Sequence, residues 1–146
     1  GTLYICASGA SDVPHSRGVA QAEFRVDGLP PGWTTETVPA PGSSVSIGNP
    51  FGNGANIAFI AGQSGACILL YTARVFPSQP SATATLRVKA HSTPANPNYN
   101  CPRLQYEDFE PLNICVPGGT LLVNSDVACT VGVSPETWSR VKRLYE

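Results

Sequence analysis

Charge is scarce in this chain. Only 13% of its 146 residues are Asp, Glu, Lys or Arg, about half the usual share. Nine basic and ten acidic residues leave a net charge of −1. That balance argues against a nucleic-acid surface, which needs a basic patch. Methionine is absent, so Gly1 is read as a processed end, with a secretory signal peptide the expected missing segment. No apolar run approaches the ~20 residues of a membrane span. No Asn-x-Ser/Thr sequon occurs. "GNPFGNG" lacks the Lys-Ser/Thr of a phosphate-binding Walker loop. No Cys-x-x-Cys pair is present and the two histidines lie far from most cysteines, which disfavours zinc. No internal repeat of roughly 20–50 residues is found.

What is present is turn-forming residues and cysteine. Gly and Pro number 14 each, so turns are frequent and long helices are not expected. The five cysteines, Cys6, Cys67, Cys101, Cys115 and Cys129, fit an oxidising compartment and structural disulfides. Two bridges among them allow fifteen arrangements, five choices of the odd residue times three pairings. A bridge within the group Cys101, Cys115 and Cys129 closes a loop of roughly 14–28 residues, worth about 3 kcal/mol. The leftover thiol is either buried and inert, the favoured reading, or an intermolecular link.

Strand patterns dominate. "GTLYICAS" sets Leu3, Ile5 and Ala7 on one face and Thr2, Tyr4 and Cys6 on the other, a strand with apolar residues on both sides. "VAQAEFRVD" alternates Ala22, Phe24 and Val26 against Gln21, Glu23, Arg25 and Asp27, and "GLPPG" stops it. "SSVSIGNP" puts Val45 and Ile47 on one face, and "NIAFIAG" repeats the pattern with Ile57, Phe59 and Ala61. "ACILLYTARVF" is a long apolar run, as expected of a central strand covered on both faces. "TATLRVKAHST" alternates again, "PANPNYNCP" reads as an extended crossing, and "LNICVPGGTLLVNS" holds two short strands around Pro117-Gly118-Gly119. The sum is eight or nine strands with no room for crossover helices. The expected fold is all-β: a single antiparallel β-sandwich, of cohesin-like or jelly-roll kind, over residues 1–133.

Residues 134–146, "SPETWSRVKRLYE", read differently. Ser134 suits an N-cap, Pro135 the first helical position and Glu136 the first turn. Trp138, Val141, Leu144 and Tyr145 make one apolar stripe, opposite Arg140, Lys142 and Arg143. A helix this short is marginal alone. It is expected to pack on its own sandwich or on a neighbouring subunit, with Trp138 as anchor.

Two resemblances bear on these stretches. "GVAQAEFRVDGLPPGW", "NIAFIAGQSGACILLYTARVF" and "ATLRVKAHSTP" together resemble the layout of cohesin-like β-sandwich modules. "GGTLLVN", "CTVGV" and "ETWSRVKRLYE" resemble the C-terminal part of uncharacterised secreted bacterial proteins that end in a Trp-x-x-Val-Lys-x-Leu-Tyr helix. The likeness implies a secreted or cell-surface bacterial protein with a sandwich fold. It implies no activity, and the cohesin likeness speaks to fold only.

No motif dictates a reaction, cofactor or metal. His15 sits with Ser11, Asp12 and Ser16 in "SDVPHSR", a composition common in turns. His91 reads as a surface residue at a strand end. Glu107, Asp108 and Glu110 form the one acidic cluster, without an EF-hand spacing. Among the aromatic residues read as loop positions, Trp33, Phe51, Tyr99 and Tyr106, Trp33 is the best candidate for stacking on a ligand such as a polysaccharide; otherwise it caps one end of the core.

The expectation is therefore binding or assembly without catalysis. The chain reads as a self-associating extracellular subunit of a fibre or surface layer, with Leu3 and Ile5 of the terminal strand and Trp138, Val141, Leu144 and Tyr145 of the tail as assembly residues. The rival is a carbohydrate- or protein-binding adhesion module. Partners are then a second copy of the chain or another surface protein, with no nucleic acid.

Overall fold

The structure, a computed structural model, describes residues 1–8, 17–108 and 113–124. The tail helix expected over 134–146, with Trp138, Val141, Leu144 and Tyr145, lies outside the described residues. So do Cys129, His15 and Glu110.

Ten strands are present among the described residues: β1 (Thr2–Ser8), β2 (Val19–Asp27), β3 (Thr34–Pro39), β4 (Ser43–Asn49), β5 (Gly54–Gln63), β6 (Cys67–Phe76), β7 (Ala84–Lys89), β8 (Arg103–Tyr106), β9 (Asn113–Cys115) and β10 (Thr120–Val123). No helix occurs among these residues. Every strand pair is antiparallel. The strands beyond the expected eight or nine trace to β3 and β8. "TTETVP" looks polar on both sides because its inward positions are Thr35, Thr37 and Pro39, set opposite Val75, Ala73 and Tyr71. "RLQY" is only four residues long.

The strands form two sheets. The small one has the order β1-β6-β3. The large one runs β10-β7-β2-β5-β4, with β8 also on β2 and β9 on β8. β2 organises the large sheet. One side pairs with β5 over Val19–Phe24, while the other is shared between β8 (Val19–Glu23) and β7 (Arg25–Asp27). At its end, Gly28 has φ 96°, and a Cβ there would collide with the carbonyl oxygen of Thr85. Only glycine permits the chain to leave β2 so close to β7.

One apolar core lies between the sheets. Ala22, Phe24, Ile57, Phe59, Leu86, Leu104 and Tyr106 come from the large sheet, and Ile68, Leu70, Tyr71 and Val75 from the small one. Phe24 meets Tyr71 edge-on across the gap, with ring centroids 6.0 Å apart at 72°, a geometry that aromatic quadrupoles favour. The Tyr71 hydroxyl is satisfied by Ser46 Oγ at 2.7 Å.

The long apolar run of β6 has a different cause from the expected two-sided cover. The register against β1 slips between Ile5 and Cys6, leaving Leu70 as an extra residue on β6. This bulge changes the inward parity. Ile68 and Leu70 before it, and Tyr71, Ala73 and Val75 after it, are all buried. The outer face of β6 is open at Arg74 and Phe76. In β4 the apolar pair points to solvent, with Val45 and Ile47 exposed, while Ser46 reaches the Tyr71 hydroxyl.

Two disulfides staple the sheets. Cys6–Cys67 fastens β1 to β6 across 61 residues of sequence, and Cys101–Cys115 ties the start of β8 to the end of β9 across 14. On the outer face of the large sheet, residues 94–102 cross over β2 and bury an ion pair. Arg103 Nη2 lies 3.6 Å from Glu23 Oε2. That same oxygen accepts from Asn56 Nδ2 and from the Ala95 amide, both at 3.1 Å. Gln21 Nε2 donates to Asn56 Oδ1, and Tyr99 lies under the Arg103 guanidinium at 5.8 Å. A carboxylate left inside would otherwise be too costly to keep.

Candidate functional site

The two long sides of the sandwich are unlike. On one, the chain itself closes the gap as it passes from β3 to β4: Ala40 N donates to Leu70 O (2.9 Å) and Ile60 N to Gly42 O (3.2 Å). On the other, β1 is the last strand of the small sheet, and nothing described spans from it to β9 and β10. A cleft of about 680 Å³ runs there along β1 from Leu3 to Ser8. Its opposite wall takes in Val88 of β7, Leu104 and Tyr106 of β8, Ile114 of β9 and Leu121 of β10.

The register shows that these are inward positions left uncovered. Leu121 stands opposite Leu86, a core residue 4% exposed, yet Leu121 is 42% exposed. Leu3 and Ile5 oppose Ala73 and Tyr71, which are fully buried, yet both are only partly buried. Ile114 and Val116 are likewise only partly covered. A sandwich with a complete second sheet buries such side chains. Among the described residues the small sheet stops short of covering this end of the large one.

The backbone edge of β1 is also open. β1 bonds to β6 on one side and to no other strand among the described residues. The outward-facing amides and carbonyls of such an edge are a template for another strand. The turn Pro117-Gly118-Gly119 fixes the far wall. Val88 N donates to Gly119 O at 2.9 Å, and Gly118 packs so closely on Val88 O that a Cβ would not fit.

The residues singled out from sequence fall in several places. Leu3 and Ile5 line the cleft, but they do so as part of their own sheet. β1 is paired with β6 of the same chain and bonded to it through Cys6–Cys67, so it offers an edge and is not free for donation. Trp33 is 8% exposed and packs in the core, so its ring presents little face to a ligand. Tyr106 belongs to β8 and is buried, Phe51 packs against the core, and Tyr99 serves Arg103. Glu107 Oε2 accepts from the Gly62 amide, holding the exit of β8 to β5. His91 is half-buried, its Nδ1 accepting from Thr93 N at 3.1 Å. Among the described residues no group of three or more His, Cys, Asp or Glu is placed to hold a metal ion.

Two further features were not evident from sequence. A polar hollow of about 410 Å³ is lined by Arg25, Lys89 and His91. Its two strong cations are already engaged by one carboxylate, with Asp27 2.8 Å from Arg25 Nε and 3.5 Å from Lys89 Nζ. On the outside of β4 and β5, Val45, Ile47 and Ile60 are 48%, 66% and 77% exposed. The alternation of "SSVSIGN" hinted at such a face but not at its direction. Among the described residues no helix is long and apolar enough to cross a membrane. No protein-family model, curated protein or solved structure matches the chain.

Proposed function

We propose that this protein is a secreted, extracellular assembly module, a self-associating subunit of a fibre or surface layer, whose joining element is the open β1 edge and the apolar cleft beside it. The carrying observation is Leu121, an inward side chain of the large sheet that remains exposed and that no strand among the described residues covers. An added strand satisfies the β1 backbone and buries Leu3, Ile5, Leu121 and Ile114 at once, which is how strand addition gives both affinity and register. Where the added strand comes from a second copy head to tail, the contact does not close on itself and a filament grows. Two disulfides agree with an oxidising compartment.

Sedimentation velocity on the full chain across micromolar to millimolar concentration tests this reading. Concentration-dependent oligomers that are lost in Leu121→Asp are expected. A monomer over the whole range overturns it. The exposed row Val45, Ile47 and Ile60 favours the second reading, an adhesion module docking another surface protein on the outer face of β4 and β5. That reading predicts association sensitive to Ile47→Lys and indifferent to Leu121→Asp.

A further inference from the structure

We infer that the strand missing beside β1 is supplied by residues 127–133 of this chain, "VACTVGV". The inference starts from the open β1 edge and its cleft, not from self-association, and names the occupant. Three observations lead to it.

The first is where the described chain ends. β10 stops at Val123, and Asn124 follows with φ 50°, the left-handed conformation that turns a chain off its line. Asn124 Nδ2 donates to Pro80 O at 2.6 Å and to Ala82 O at 3.1 Å. The chain is thus pinned at the end of the sandwich where β6 passes to β7. β1 starts at that same end, since Val75 N donates to Gly1 O and Thr2 pairs with Arg74. Leu121 of β10 and Leu3 of β1 both line the cleft. A chain leaving Asn124 into the cleft therefore runs alongside β1 and in the same direction.

The second is length and pattern. β1 has seven residues, Thr2–Ser8. Residues 127–133 are also seven, and Val127, Cys129, Val131 and Val133 alternate with Ala128, Thr130 and Gly132. That is the period of a strand with one apolar face. Pro135 shortly afterwards ends any such pairing.

The third is chemistry. The uncovered wall is apolar and branched, with Leu3, Ile5, Ile114, Val116 and Leu121. The β1 edge needs backbone donors and acceptors, which a strand presents and a helix does not.

Cysteine cross-linking tests the placement in the intact chain. Cys6–Cys67 and Cys101–Cys115 use four of the five cysteines, so Cys129 has no native partner in its own chain. In Ile5→Cys, mild oxidation is expected to join position 5 to Cys129, read by peptide mapping. Ile60→Cys, on the outer face, is expected to give no such link. Hydrogen exchange supplies a readout that needs no substitution. The β1 amides not bonded to β6 are expected to be protected in the full chain and to lose protection in a chain ending at Asn124.

A link within one molecule, with the full chain monomeric, supports the inference and overturns self-assembly through the cleft. A link between two molecules supports both. Absence of the link together with unprotected β1 amides overturns the inference. So does protection that survives the truncation, since another occupant then holds the cleft; the assembly reading would still be judged by its own sedimentation test.

Discussion

Removing the Cys6–Cys67 bridge is the most informative single perturbation of this fold. β1 is an edge strand held on one side only, and its bridge partner lies 61 residues away in sequence. In the chain-entropy account, opening a loop of that size frees the unfolded ensemble by about 4 kcal/mol. The Cys101–Cys115 loop, with a separation of 14, gives about 3 kcal/mol on the same footing. Cys6→Ser/Cys67→Ser is thus expected to cost about 1 kcal/mol more than Cys101→Ser/Cys115→Ser, because closure entropy grows with the logarithm of loop length. Urea unfolding of both variants and the parent measures this. With an m-value of about 2 kcal/mol/M, the first variant shifts the midpoint down by roughly 2 M, and its Tm falls by roughly 8–16 °C. A loss under about 1 kcal/mol, or a larger loss from the shorter loop, refutes the reasoning. The same variant also frees β1 to exchange between molecules, so new domain-swapped dimers are expected in it on gel filtration.

The other predictions concern the buried polar groups and the outer face. Arg103→Met strands the Glu23 carboxylate under residues 94–102 and is expected to cost about 3–5 kcal/mol. Adding Glu23→Leu is expected to recover most of it, and a double-mutant cycle by chemical denaturation gives the coupling. Burial pushes the phenol of Tyr71 above its usual 10.0, with the Ser46 hydrogen bond pulling partly back, and burial alone raises Tyr106. The folded state therefore holds these protons after the unfolded chain has begun to lose them. Stability from this source is complete below about pH 10 and falls as pH rises beyond it. Urea midpoints between about pH 8 and 11.5, in a Cys129→Ser background, are expected to fall less steeply in Tyr106→Phe; parallel curves would contradict this. Ile47→Lys, on a 66% exposed side chain, is expected to change unfolding free energy by less than about 0.5 kcal/mol.

Much of the fold was legible because burial leaves its period in the sequence. β7 alternates cleanly since it has one covered face, and β2 keeps the alternation because the residues beneath the 94–102 crossing are polar, as "ATLRVK" and "VAQAEFRVD" show. β3 escaped because threonines and a proline fill its inward positions. β6 misled because a bulge at Leu70 puts both parities inside, which a sequence cannot distinguish from cover on two faces. The disulfide pairing was not legible either. The fifteen arrangements differ little in closure entropy, and only the strand register brings Cys6 beside Cys67 and Cys101 beside Cys115. The cleft was the least visible feature of all. Leu3, Ile5 and Leu121 carry ordinary core patterns, and their exposure depends on which strands fail to meet across the sandwich.

That failure is selective, and the other edges show it. β3, at the far side of the small sheet, carries Glu36 and ends in Pro39. β9 has three residues and β10 four. Short, charged or proline-bearing edges are poor templates for a foreign strand. β1 and β4 are the exceptions, each with seven residues and exposed or half-exposed aliphatic side chains. The two differ in what an added strand would bury. At β4 it would extend the large sheet past core already closed by the β3–β4 connection, gaining mainly backbone pairing and the outer row of Val45 and Ile47. At β1 it would also cover inward leucine and isoleucine side chains that the sandwich leaves wet. Full burial of such a side chain is worth on the order of 1.5–3 kcal/mol, and cover of Leu3, Ile5, Ile114 and Leu121 would supply the share that their remaining exposure withholds. An added strand would thus complete the core at β1, whereas at β4 it would only widen the sheet.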